Sequence, residues 1–583
     1  MVEKRNSYLV SKALNTFMLA SVLASLAQRL ATMTDAIVVS NLICSDAISA
    51  INVVTPLITL FPAISILFGT GGSILAAKAL GRRDGDEANR VFTASLVGAL
   101  VCSSVLSVVL FSQTVDIVAL VCPRNSRFFD MAVSFMHILS LSAIPTVLSF
   151  TLQSFVKTDG NPRLVLMTVV SSTVLNLILD IVFVKYFGMG IAGSAWATII
   201  CFLFSASVCL VHFCGSNSAF RLRFEWRRMG TNLTHCIAEG FPASISTLMM
   251  GVCVYGFNSI VIHTLGADGM YVWSVCLQLF MLIQLMLSGV GSSIYSIGGL
   301  LIGERDMPGL HILIRRALTY VGIALLVLLL VVEVWPQAFG NLFGGGNSGL
   351  ADELHCALRI FALLLLPYAL ISILNALYQL LGYRTASIIV SLTQLAAMVI
   401  FVWLFAIISP SLLWWGYPAS SFTLLAVVLT VTWVMHLRNP ELAFVTLIPQ
   451  VTEGKVINFS IQLTEADVVS ALGRIDAFLE DCDISRPIAY DIRLCSEELL
   501  YNIVRYAVKK HPEQHFIDIH IRFVAPLVTV LLKDDGRPFN PLLGASDSME
   551  HLGLRLVNGS THNMTYQYMY DQNMVFIKFP CNQ

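Results

Sequence analysis

Long apolar stretches recur along the first three quarters of the chain and stop near residue 436. Twelve stand out, at 14–38, 50–80, 92–120, 131–156, 164–187, 191–214, 235–264, 270–302, 315–340, 354–381, 384–408 and 412–436. A run of about 20 apolar residues crosses the hydrocarbon layer as a helix, so the pattern predicts twelve transmembrane helices. Beyond HLRNPE (436–441) the pattern changes character. INFSIQL (457–463) and FIDIHIRF (516–523) alternate with the period of a strand, and LVTVLLKD (527–534) does so more loosely. Helical periodicity fills 464–481 and 488–509, the first opening on Thr464 and Asp467 in an N-capping pattern. Two last strands are predicted at 564–570 and 574–580, joined by a turn at 571–573. The expected organisation is a six-helix lobe over 1–220, a second over 221–440, a linker at 441–455 and an α/β domain over 456–583.

Composition agrees with a lipid-embedded chain. Of 583 residues, 56% are hydrophobic and 12% charged, against about 25% charged in soluble proteins. A net charge of −1 gives no reason to expect a nucleic-acid partner. The thirteen cysteines form no CxxC pair, and those inside apolar runs, such as Cys102, Cys201 and Cys253, read as small buried hydrophobes. No GxxxxGK[ST] loop is present, which disfavours a P-loop pump. Basic residues alternate between connecting segments. Lys78, Arg82, Arg83, Arg90, Arg221, Arg223, Arg227, Arg228, Arg305, Arg315 and Arg316 fall on one side, and only Arg124, Arg127, Lys185 and Arg359 on the other. By the positive-inside rule, both termini and everything after residue 436 are expected in the cytoplasm.

The membrane part repeats at an offset of about 222 residues. GTGGSILAAKALGRRDGDEA (69–88) parallels GVGSSIYSIGGLLIGERDMPGL (289–310), and KTDGNPR (157–163) parallels QLLGYRT (379–385), with Gly160 over Gly382. GIAGSAWAT (190–198) falls over LWWGYPASS (413–421). Two parallel six-helix halves imply a pseudo-two-fold axis along the membrane normal and a central cavity open to alternate sides. The glycines at 69–72 and 289–291 read as sites of close helix packing. The repeat, the G-x-G-G-S…LG-x-x-D loop, TDAIVVSNL (34–42) and LNLILDIVFV (175–184) together resemble the multidrug and toxic compound extrusion (MATE) family over about residues 10–436.

Acids inside spans are costly and are functional candidates by default. Asp35 lies toward the far end of the first span, and Asn176 and Asp180 stand one turn apart in the fifth. Such oxygens suit Na⁺, and paired buried carboxylates equally suit proton uptake and release. The matching second-half positions, near Phe257, Met398 and Val402, are apolar, which confines ion chemistry to the first half. The resemblance agrees, because one MATE branch has its coupling acids at places matching Asp35, Asn176 and Asp180. Gln153 and Asn258 read as ordinary packing polars. Arg29, six positions before Asp35, lies about 120° away around the helix and is no partner for it.

Three motifs follow one another in the C-terminal domain. Glu498 and Asn502 share a helix face in SEELLYNIVRYAV (496–508), KDDGRPFNP (533–541) follows a strand, and HLGLRLV (551–557) puts a glycine at a predicted helix start suited to phosphate. In this order they resemble the ATP-binding boxes of the GHKL superfamily over about 455–580, closest to the anti-sigma-factor serine kinases. The resemblance implies ATP with Mg²⁺: Asp534 on the adenine amino group, Gly536 making room for the base, Asn502 on Mg²⁺, Glu498 as general base, and Gly553 and Leu554 against the phosphates. Glu550-His551 stands where the family has a Gly-Gly pair, which implies a stiffer and more negative lid.

The reading is a bacterial cytoplasmic-membrane antiporter, driven by Na⁺ or H⁺ and exporting organic cations, with a nucleotide-binding regulatory domain. Na⁺, if it is the coupling ion, would sit at Asp35 and Asp180. Two alternatives stand beside it. One is a membrane-tethered serine kinase or weak ATPase acting on a regulatory protein of the anti-sigma-antagonist type. The other is a lipid or polysaccharide flippase, which the scarcity of basic residues within the spans disfavours.

Overall fold

The computed structural model describes residues 6–42, 45–122, 124–126, 129–215, 218–337, 351–450, 454–506, 515–541 and 564–581, without the side chains of 32–49, 52, 267 and 506. It comprises two compact units, one of Met18–Gly303 with Ile314–Ile448, the other of Met1–Phe17, Glu304–Leu313 and Pro449–Gln583.

Among the described residues, twelve helices are long and apolar enough to cross a membrane. Numbered in order, spans 1–6 are Tyr8–Ala31, Val53–Gly81, Gly85–Ser112, Phe129–Thr158, Pro162–Tyr186 and Ile191–Cys214; spans 7–12 are Trp226–Gly266, Asp268–Gly303, Met307–Val334, Ala351–Leu380, Arg384–Ile408 and Pro410–Arg438. Hydropathy places spans 3 and 9 several residues too late, because their starts are set by caps. The Asp84 side chain accepts a hydrogen bond from Glu87 N at 2.8 Å, and Asp306 accepts one from Gly309 N at 2.9 Å. The stretch 113–120, expected to continue span 3, is instead broken at Gln113 and begins a separate short helix, Thr114–Val121.

The two halves repeat in backbone detail. Arg83 and Arg305 both have φ of 59°, each just before its capping Asp, and Gly160 and Gly382 have φ of +88° and +90° in the turns after spans 4 and 10. Both pairings, like that of the capping Asp84 and Asp306, carry the 222-residue offset. At Gly160 and Gly382 the left-handed backbone favours glycine.

At one end of the bundle the halves meet backbone to backbone. A Cβ on Gly71 of span 2 would lie 2.1 Å from Cys236 O of span 7, and one on Gly240 would lie 2.0 Å from Leu67 O. Beside this contact Glu239 of span 7 is buried at 2% exposure. Its Oε1 lies 2.9 Å from Arg384 of span 11 and 3.7 Å from Lys78 of span 2, and its backbone carbonyl accepts a hydrogen bond from Gln379 of span 10. One carboxylate thus neutralises cations from both halves.

The smaller unit holds a five-stranded antiparallel sheet. Its strands are β1 Lys455–Gln462, β2 Phe516–Val524, β3 Leu527–Asp534, β4 Met564–Met569 and β5 Gln572–Pro580, in the order β1-β2-β3-β5-β4. Helices Glu465–Asp481 and Arg486–Tyr506 supply the other layer, the first capped by Thr464 Oγ1 accepting from Asp467 N. Alternation along the strands sends Phe459, Ile519, Ile521, Val530, Leu532 and Ile577 into the core with these helices. The opposite face carries Asp518, His520 and Lys533, all buried although polar.

Removing one partner from a buried ion pair leaves the others uncompensated. Glu239→Gln is therefore expected to loosen the contact between the halves. In a variant keeping Cys236 as its only cysteine, maleimide labelling of that buried thiol should rise about tenfold, equivalent to ~1.4 kcal/mol. Unchanged labelling would show that the glycine contacts alone hold this end together.

Candidate ion-coupling and nucleotide sites

Within the membrane unit, Asn176 and Asp180 lie on one face of span 5, at 7% and 0% exposure. The α-helix ends at Asp180 and passes into a π-helical turn, Ile181–Tyr186, an irregularity frequent at functional positions. The matching residues of the second half, Met398 and Val402, are buried at 3% and 0%, and a Cβ on Gly416 would come within 2.6 Å of Val402 Cα. Phe257, opposite Asp35 in the repeat, packs against Trp273 and Tyr417 with ring centroids 5.3 Å from each. The second half therefore fills with apolar packing the places where the first half has acid and amide. Asp35 lies within the helix Tyr8–Leu42, but its side chain is outside the described residues.

Two further polar residues of the spans, Gln153 and Asn258, have structural partners. Gln153 donates to Ser149 and Ser205 at 3.1 Å each, and Asn258 accepts from Trp273 Nε1 at 2.7 Å. Arg29 is exposed near the end of span 1, where a long side chain can extend its charge toward headgroups.

In the sheet unit, the helix Arg486–Tyr506 and the end of β3 line a shallow cleft. Asn502 and Asp534, distant in sequence, both line it, together with Leu499, Ile503, Phe539 and Val575. Strand alternation points Asp534 toward the helix layer while Lys533 and Asp535 face the other way. Asp534 Oδ1 accepts hydrogen bonds from Gly536 N at 2.7 Å and from Asn573 Nδ2 at 2.9 Å. Gly536 is buried, and its N–H closes the turn after the strand. Glu498 stands half-buried one turn before Asn502. Gly553, Leu554, Glu550 and His551 lie outside the described residues.

Asn573 is a site residue that the sequence hides, since Asp571–Asn573 reads only as a hairpin turn. Across the β3–β5 ladder it faces Asp534, donates also to Arg537 O at 3.0 Å, and accepts from Phe539 N at 3.2 Å and Tyr566 Oη at 2.7 Å. It thereby fixes the acid and the segment after it together. Burial, with the nearby Asp534 carboxylate, pushes the Tyr566 phenol up to about 12, so it stays a donor. An acid acceptor and a helix amide on one largely apolar cleft are the kinds of group that orient a small ligand.

Residues 20–182 match the MatE family model, and residues 461–579 match that of the histidine kinase-like ATPase domain. The multidrug export protein MepA of Staphylococcus saprophyticus is 25% identical over 209 residues, 36% of this chain and 46% of that protein. The probable multidrug resistance protein YoeA of Bacillus subtilis is 23% identical over 354 residues, 59% of this chain and 75% of that one. The chain thus spans about half the length of MepA and three quarters of YoeA. Over 73% of this chain and 96% of the other, the fold is similar to that of a solved structure described as the outward-facing conformation of a multidrug resistance MATE family transporter of the MOP superfamily, with a TM-score of 0.67 and 20% identity. A MOP superfamily transporter from Pyrococcus furiosus gives the same score and identity over 75% and 100%. The twelve candidate spans in two matched halves include the segment that matches the MatE family, and the antiparallel sheet with its two helices is the segment that matches the histidine kinase-like ATPase domain.

Proposed function

We propose that the chain exports organic cations from a bacterial cell by antiport against Na⁺ or H⁺. The observation that carries this reading is Asp180, fully buried in span 5 with Asn176 one turn away, while the repeat partners Val402 and Met398 are apolar. A buried acid present at this repeat position in one half only gives the coupling ion a single loading place, and its occupancy then biases one arrangement of the halves over the other. Asp35, farther along the helix Tyr8–Leu42, would complete the site. Similarity to MepA and YoeA supports drug-like cargo. The basic connecting segments support placing both termini, and the sheet unit, on the cytoplasmic side of the inner membrane, where ATP is available.

The second part of the reading is nucleotide regulation. ATP would seat its adenine on Asp534 beside Gly536, with Asn502 toward Mg²⁺ and the phosphates toward Gly553 and Leu554. Bound Mg²⁺ would supply charge neutralisation at the phosphates. Asn573 holds the adenine-facing carboxylate in place before ligand arrives. Glu498, one turn before Asn502, keeps open a second reading in which the domain phosphorylates a serine on a cytoplasmic regulatory protein of the anti-sigma-antagonist type.

Proteoliposomes under an imposed Na⁺ or H⁺ gradient test the transport reading. Asp180→Asn should reduce gradient-driven efflux of an organic cation to the level seen without a gradient, and efflux equal to wild type would overturn the assignment. In the full chain, Asn502→Ala should weaken Mg–ATP binding by roughly tenfold or more, about 1.4 kcal/mol. Glu498→Gln separates the two nucleotide readings. It should leave Mg–ATP affinity intact while slowing any phosphoryl transfer about a hundredfold, and a wild type without such transfer leaves binding as the domain's role.

A further inference from the structure

The polar face of the sheet is buried because parts of the transporter cover it. The smaller unit includes the first turns of span 1 and the loop leading into span 9, and both make charged contacts with residues on either side of Asp534. Lys533 Nζ lies 2.6 Å from Glu304 Oε2, with side-chain exposures of 6% and 0%. Asn458 of β1 donates to Asp306 at 3.2 Å in the same loop. Asp535 Oδ2 pairs with Lys12, accepts from Tyr8 Oη at 3.2 Å, and lies 2.8 Å from His515 Nδ1. Burial alone would raise the Asp535 carboxyl, but Lys12 and His515 outweigh it and hold its pKa below the ordinary value. Asp535 is therefore an anion at neutral pH.

The internal repeat provides a control. In the first half the position of Glu304 is Arg82, whose side chain is 48% exposed and pairs with Glu87 in the first turn of span 3. The two loops share backbone conformation and cap, so the change from exposed cation to buried anion is not demanded by the fold of the loop. It matches the arrival of Lys533.

We propose that the nucleotide site is linked to the transport helices through these two pairs, Lys533 with Glu304 and Asp535 with Lys12. The proposal rests on Asp534 holding the adenine of ATP. Lys533, Asp534 and Asp535 are consecutive, so a ligand that shifts the Asp534 carboxylate moves its two neighbours with it. Asn573 anchors the same segment at Arg537 and Phe539, so displacement cannot dissipate into a loose loop. The outward ends of the linkage are the loop before span 9 and the start of the helix Tyr8–Leu42, which carries Asp35.

The test uses full-length protein in proteoliposomes, with Mg–ATP affinity and gradient-driven efflux measured on the same preparations. Wild type should bind Mg–ATP, and saturating nucleotide should change its efflux rate by at least about fivefold, the lower range of ordinary allosteric coupling. Lys12→Gln with Glu304→Gln should keep affinity within about threefold of wild type while the response of efflux to Mg–ATP falls below about twofold. The exchange Glu304→Lys with Lys533→Glu, which restores opposite charges, should recover at least half of the response and guards against a merely misfolded variant. An uncoupled wild type that binds Mg–ATP, or a double variant with the full response, overturns the linkage while leaving nucleotide binding intact. Absence of Mg–ATP binding in wild type overturns the nucleotide reading itself, and the linkage with it.

Discussion

A carboxylate withdrawn from water needs a counter-charge or several donors, at a cost of several kcal/mol when it finds none. That requirement organises much of this chain. Glu239 stays buried between the halves because Arg384 and Lys78 approach it from different spans. Glu304 is covered by Lys533, and Asp535 by Lys12 and His515. Asp534 is held by a backbone N–H and by Asn573. Each acid therefore joins pieces of chain that hydrophobic packing alone would bring together without fixed register.

The halves of the membrane domain show what duplication conserves and what it releases. Cap geometry, left-handed turn residues and backbone angles survive at matched positions, as in Arg83 with Arg305 and Gly160 with Gly382. Chemistry does not. Asp180 has become Val402, Asn176 has become Met398, and Arg82 faces Glu304 across the repeat. Backbone conformation repeats at these positions in both halves, whereas the buried acid and amide of span 5 and the charged contact with the sheet each occur in one half.

How much the sequence discloses follows from the range of the interactions involved. Hydropathy alone marks the twelve spans, and strand alternation marks the sheet, because both are local patterns. Span 3 begins at Asp84 rather than at its apolar run, since a cap is a side-chain hydrogen bond to which hydropathy is blind. Asn502 and Asp534 are legible from motif order, and the structure places both on one cleft. Asn573 is hidden because its role comes from lying opposite Asp534 across two strands. Lys12, Glu304 and Lys533 look like ordinary surface charges in sequence. Their burial arises only when segments hundreds of residues apart pack together.

The composition of the sheet unit also bears on how the chain is made. Gln572 donates to the carbonyl of Leu9 across 563 residues of sequence, and Asn6 reaches Ser460 across 454. The first turns of the chain leave the ribosome long before the strands that cover them exist. Contacts of such separation close slowly, because a long loop must be ordered before they form. Lys12 and Glu304 must remain solvated or chaperoned until the end of β3, which carries Lys533 and Asp535, is synthesised. A chain stopped before residue 533 would leave those early charges without the partners that receive them, and one stopped before 572 would leave the Leu9 carbonyl without Gln572.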